Sequence, residues 1–304
     1  MKLIIYRCML VTFALSVLSG SDAVAAKIKT LIVTGQNNHN WKVSHINLKA
    51  ILENSELFTV DIAVSPPDGG DMNSFRPEFD AYRLVVLDYN GDEWSEETQK
   101  RFAAYAANGG GIVVYHAACA AFPRWDEYNR IIGLGGWNGR NEQSGPWIYL
   151  SGGEWVKDFS PGSAGSHGAQ HEFVMTVRDK KHPITKGLPE RWKHASDELY
   201  DRLRGPGNIH VLCSAYADKE KFGGSGREEP LLFIVKSGKA RIFHTALGHS
   251  WDNHTSDNNP AMQCAGFQIT FLRGCEWAAT GKVKQPVPAD FPTANETSMR
   301  PCYK

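Results

Sequence analysis

Three histidines stand where a strand-like apolar run gives way to small or polar residues. His116 ends the run in 109–122 (GGGIVVYHAACAAF). A strand that turns sharply into small residues and then a helix is how α/β enzymes present a reactive side chain at a sheet edge. An imidazole there acts as general base, general acid or metal ligand, or else only packs a strand end. His39 lies in the polar stretch 35–41 (GQNNHNW), directly after another apolar run. His249 follows Gly248 in 243–252 (FHTALGHSWD), a late strand exit, and is a credible partner for His116. Asp88, Tyr89 and Asn90 close a further apolar run, which adds Asn90 to the same rim.

Carboxylates and further imidazoles supply weaker candidates. In 196–200 (SDELY), Asp197 and Glu198 are adjacent, so on a strand they point to opposite faces and do not act as a pair. One of them can orient an imidazole, and Asp197 is taken for that part. Glu142 (GRNEQSGPW) and the pair His167 and His171 (HGAQH) lie in a Gly-rich irregular segment. HxxxH on a helix puts both rings on one face, as zinc or another divalent ion requires, yet the surroundings argue against a helix there. His45, His182, His194 and His210 carry no comparable signal. Of nine tryptophans, Trp94, Trp137, Trp147 and Trp251 are candidates for stacking on the apolar face of a small ligand. There is no GxGxxG, Walker loop, GxSxG or HExxH.

The elements that must position these residues alternate. Apolar runs at 28–34, 58–64, 84–88 and 111–116 read as buried strands. Between them, 44–54 has helical spacing with Ser44 as N-cap. A second helix opens at Ser95 with Glu96 and Glu97 in its first turn and stops at Asn108-Gly109. Strand-like runs return at 173–178, 209–214, 231–235 and 241–245, and 260–280 reads as a closing helix burying Phe267 and Phe271. The implied fold is α/β: a doubly wound, mostly parallel, flavodoxin-like sheet with helices on both faces and an irregular insertion at 133–170. In such a sheet the active crevice lies beyond the carboxyl ends of the strands.

Composition bounds the function. With 33 basic and 33 acidic residues, 42% hydrophobic and 22% charged, the chain is neither disordered nor a multi-span membrane protein. It also lacks the basic footprint of a nucleic-acid binder. Lys2 and Arg7, the apolar stretch 9–18 and Ala23-Val24-Ala25 have the form of a cleaved signal peptide over residues 1–25. The expectation is an exported protein, periplasmic or extracellular, without a membrane span after cleavage. It comprises one α/β domain over 26–283 and an extended tail over 284–304. Cys119, Cys213, Cys264, Cys275 and Cys302 form no CxxC; Cys275–Cys302 is one way to staple the tail, with connectivity open.

Several stretches in this order resemble the ThuA-like (trehalose-utilisation) family: GGGIVVYHAA, GRNEQSGP, HPITKGLP, DELY, GKARIFHTALGH and FLRGCEWAATG. The resemblance implies a class I glutamine amidotransferase-like fold. It does not imply glutamine hydrolysis, because His116 stands at the turn where that superfamily carries a nucleophilic cysteine. It implies a role in sugar metabolism, with His39, His116, Glu142, Asp197 and His249 as pocket residues. Two readings compete. One is an enzyme of sugar hydrolase or isomerase type, acting on a disaccharide, glycoside or keto-sugar. The other is a carbohydrate-binding protein without catalysis. The ligand in both is a small carbohydrate; a homo-oligomer and a divalent metal such as zinc remain open.

Overall fold

The computed structural model describes residues 26–303, so the expected signal peptide lies outside the described residues. The chain runs β1 (Ile28–Thr34), α1 (Trp41–Asn54), β2 (Phe58–Val64), β3 (Leu84–Leu87), α2 (Glu96–Ala107), β4 (Gly111–Tyr115) and α3 (Asp126–Ile132). It continues through β5 (Trp147–Ser151), β6 (Glu154–Asp158), β7 (Ser166–His167), β8 (His171–Val177), β9 (Arg191–Asp197), β10 (Tyr200–Asp201) and β11 (Ile209–Tyr216). The last elements are α4 (Lys219–Phe222), β12 (Glu228–Val235), β13 (Arg241–Thr245), α5 (Pro260–Gln263) and α6 (Ala265–Thr280).

One sheet organises the domain, in the order β2-β1-β3-β4-β13-β12-β11-β8-β9. From β2 to β13 the neighbours are parallel. This is the doubly wound flavodoxin-like order, with its carboxyl ends on one rim. Beyond β13 the sheet continues antiparallel through β12, β11, β8 and β9. The continuous apolar runs are legible because β3 and β4 are buried along their whole length. A strand covered on both faces has no polar side to alternate with.

The helices cover the parallel half. Ser95 caps α2 by accepting the Thr98 N–H, and Asn108 followed by Gly109 at φ +91° ends it, as the sequence anticipates. In α1, Asn40 rather than Ser44 precedes the first turn. Ser44 instead sits inside the helix and donates to Asp88 at 2.6 Å, so its hydroxyl serves a buried acid and not a cap. The closing helix is broken at Cys264, whose extended backbone (ψ 121°) separates α5 from α6. Helix α6 buries Phe267 and Phe271 against β4 and β13.

The insertion is more regular than its composition suggests. Trp147–Ser151 and Glu154–Asp158 form a two-residue hairpin, with Gly152 and Gly153 both at positive φ. That is a Gly-Gly turn signal that the sequence reading passed over. The described part of the tail, 284–303, has no helix or strand but is packed, with Phe291 and Cys302 buried. All five cysteines among the described residues are unpaired and buried, so no disulfide staples the tail. No described helix is long and apolar enough to cross a membrane.

Gly274 marks how closely α6 lies on the sheet: a Cβ there would fall 2.1 Å from the Phe243 ring. Gly274→Ala is therefore expected to destabilise by about 1–3 kcal/mol, the usual cost of overpacking a core. Urea unfolding of both proteins checks this; an unchanged midpoint would show that the ring moves aside freely.

Candidate functional site

The rim histidines meet. His39 follows β1, His116 follows β4, His249 follows β13, and Glu198 follows β9. His116 Nε2 lies 3.1 Å from His249 Nδ1, and Glu198 Oε2 lies 2.8 Å from the same nitrogen. Glu198 Oε2 is also 3.8 Å from His39 Nε2 and from His116 Nε2. His39 packs edge-on against both other rings, with centroids 4.9 and 4.4 Å away. His167 Nε2 approaches the other oxygen, Glu198 Oε1, at 3.4 Å. His116, His249 and Glu198 are buried, and His39 is partly exposed.

Local backbone aims each ring. His116 begins the turn 116–120 at φ +43°, in the left-handed region that costs an L-residue about 1–2 kcal/mol. The bend turns its ring out of the strand, where Nδ1 lies 2.8 Å from the Ala246 carbonyl and Tyr200 stacks at 4.3 Å. His39 is held by Asn37, whose Oδ1 accepts from the His39 backbone N–H at 3.1 Å and faces Nδ1 at 3.2 Å. Asn37 in turn donates to Asp88. Burial pushes the Asp88 carboxyl up to about 8, against the hydrogen bonds from Ser44, Thr34 and Asn37.

Adjacent acids do point opposite ways, and Asp197 does hold an imidazole, that of His194, although it lies outside the cavity. Glu198 faces the cluster. Asp197 is fully buried behind it, accepting from Gly248 N at 2.7 Å and His249 N at 3.1 Å and pairing with His194 Nε2 at 2.7 Å. Asp197 thus positions the loop that carries His249 and does not reach the cavity. Burial pulls the Glu198 carboxyl upward, but the surrounding imidazoles of His116, His249 and His39 outweigh it and hold the group well below the usual carboxylate range. Burial moves His39 down, partly offset by Glu198. Burial also lowers His194, but Cys264 and Asp197 outweigh it and bring the ring up to about 10.

Above the cluster opens a cavity of about 290 Å³. Asn38, Asn90, Asn138, Trp137, Tyr200 and Trp251 line it together with His39, His167, Glu198 and His249. Asn90 donates to Asn38 at 2.6 Å and accepts from Asn138 at 3.3 Å, forming an amide chain along one wall. Trp251 is 42% exposed beside His249.

Other residues singled out in the sequence lie elsewhere. Trp94 is core, packed on Phe79 and Phe122, because its ring falls between sheet and helices. Trp147 donates its indole N–H to buried Glu229, outside the cavity lining. Glu142 sits in the turn 142–144 and accepts from Gly162 N, away from the lining. His167 and His171 lie on separate strands, not one helix; His171 stacks on Phe222 at 3.6 Å, so the two do not form a site together. Cys119 is buried, which pushes its thiol up to about 12, the opposite of an activated nucleophile. No motif in the sequence marks His194, and none places Glu198, Tyr200, Asn38 or Asn138 in the pocket. Alternation along SDELY was the available pointer to Glu198.

The fold and rim define a doubly wound, flavodoxin-like α/β protein with a histidine at the β4 exit. Residues 29–278 match the ThuA family, described as trehalose utilisation, and the chain belongs to that family. A crystal structure of a ThuA-like protein from Parabacteroides merdae is 61% identical, with TM-score 0.89, covering 92% of this chain and 99% of that one. A ThuA-like protein from Bacteroides uniformis shares the fold at 17% identity and TM-score 0.56, covering 87% of this chain and 96% of that one. No curated protein matches significantly. Family membership points to carbohydrate metabolism.

His194 yields a pH prediction. Its folded value lies above the ordinary 6.5, so its contribution to stability is complete below pH 6.5 and fades as pH rises towards about 10. The stability gap between wild type and His194→Asn, read from urea midpoints, should narrow over that window. A gap that widens would contradict the pairing with Asp197.

Proposed function

We propose that this protein is an exported carbohydrate-active enzyme, of hydrolase or isomerase type. Its substrate, a disaccharide, glycoside or keto-sugar, places one ring in the rim cavity above Glu198. The observation that carries this reading is the convergence of three imidazoles and one carboxylate, from four separate loops, beneath the rim cavity. Groups gathered at that cost in desolvation and strain are characteristic of reactive sites. The family's link to sugar utilisation supports the substrate class. The signal-like residues 1–25 support export.

The chemistry follows from the contacts. The cavity sits at the small end of the roughly 300–1,000 Å³ usual for ligand sites, which suits a single sugar ring. The amides of Asn38, Asn90 and Asn138 offer donors and acceptors to hydroxyls, and Trp137 and Trp251 offer apolar faces. Glu198, whose carboxyl is held well below the usual carboxylate range, is placed among the rings as a proton acceptor or a charged partner for the substrate. His167, partly exposed at the cavity, can exchange a proton between substrate and water.

Turnover of trehalose, other disaccharides and their keto derivatives tests the proposal. Glu198→Gln and His116→Asn should each lower it by about 10²–10⁴-fold, the usual weight of acid–base groups, with substrate affinity largely kept. Asn is chosen at 116 because it tolerates the left-handed backbone. Sugar binding by the native protein without turnover of any of these compounds would instead establish a binding role.

Trp251→Ala should weaken binding of the same sugars by about fivefold, the loss of roughly 1 kcal/mol of aromatic packing. Calorimetry reads this directly; unchanged affinity would remove Trp251 from the sugar site.

A further inference from the structure

We propose that His39, His116, His249 and Glu198 bind one divalent transition-metal ion of the zinc type at the floor of the cavity. The part this ion plays in sugar chemistry rests on the function proposed above; its binding does not.

Geometry is the first argument. One ligand atom from each residue lies within 4.8 Å of all the others. Four of these separations are 2.8, 3.1, 3.8 and 3.8 Å. A tetrahedral ion with bonds of about 2.0–2.2 Å sets its ligand atoms roughly 3.4 Å apart. The side chains are therefore already close to the spacing such an ion imposes.

Ring orientation is the second. The Ala246 carbonyl can only accept, so His116 donates from Nδ1 and turns Nε2 inward. Asn37 Oδ1 is fixed as an acceptor by the His39 backbone N–H, so His39 likewise donates from Nδ1 and presents Nε2. Glu198 Oε2 and His249 Nδ1 complete a set of four ligand atoms turned towards one another.

The surroundings complete the pattern. Metal-binding imidazoles are normally oriented by a carbonyl or carboxylate on the opposite nitrogen. Here Ala246 orients His116, and the Asn37–Asp88 pair orients His39. Three imidazoles with one carboxylate favour zinc, iron, nickel or copper over magnesium or calcium, which prefer oxygen. The cavity above gives an oxygen of the substrate room to approach, where the ion would act as a Lewis acid on a sugar carbonyl or hydroxyl.

The test uses the mature chain, purified without chelator, then stripped and titrated with Zn²⁺ and with Co²⁺. Elemental analysis should give about one ion per chain. Calorimetry should show one saturable Zn²⁺ site, weakened at least 100-fold in Glu198→Gln and His249→Ala. Asn37→Ala should weaken it by about 10–100-fold, the usual effect of an outer partner. His171→Ala should leave it unchanged. If a ligand variant fails to fold, the visible Co²⁺ spectrum of the wild type still reads nitrogen and oxygen coordination, and its absence overturns the proposal. Absence of a saturable Zn²⁺ site, or a site indifferent to Glu198→Gln, also overturns it. Stoichiometric metal without sugar turnover would sink the proposed enzyme and leave the metal site. Turnover that survives complete stripping would keep the enzyme and overturn the ion's part in its chemistry, while the Zn²⁺ titration alone decides the site.

Discussion

Two consecutive carboxylates at the end of β9 face opposite ways, and the rim is built around that division. Asp197 turns inward, where the imidazole of His194 and the amides of Gly248 and His249 surround it. Glu198 turns outward into a ring of imidazoles. A buried carboxylate is tolerated only when fully hydrogen-bonded, so Asp197 fixes the β13 exit loop against the end of β9. That contact joins the parallel half of the sheet to its antiparallel half. His249 comes from one side and Glu198 from the other, and they meet at 2.8 Å because Asp197 clamps the backbone of both.

The rest of the site is held with comparable economy of motion. Tyr115 donates to the Gly248 carbonyl, tying the β4 exit to the β13 exit. Gly248 itself is required: at φ +99°, a Cβ would meet the rings of Phe267 and Tyr115 at 2.7–2.8 Å. His116 accepts a strained backbone, and the Ala246 carbonyl and the Tyr200 ring hold it there. The rings are thus set by backbone geometry and outer hydrogen bonds before any ligand arrives, the arrangement expected of a preorganised site.

The parallel strands were plain in the sequence because burial on both faces leaves unbroken apolar runs, as in LVVL at 84–87. The polar exits at His39, Asn90, His116 and His249 were legible for the same reason: each interrupts such a run abruptly. Trp94 and Trp147 misled because an indole reads alike whether it fills a core or lines a cavity. Glu142 lay in a motif whose Gly and Asn residues serve the turn itself. His194 carried no signal, since its value to the fold comes from Asp197 three residues on and from Cys264 far along the chain.

Sequence alone determined the doubly wound half of the sheet, the shared rim and the histidines on it, because strand burial and strand order are written in local composition. Only the tertiary structure decided which acid of the pair enters the cavity, which tryptophans border it, and which nitrogen of each imidazole faces inward. Those choices depend on contacts between residues as far apart in the chain as His39 and His249, and no local pattern encodes a partner at that distance.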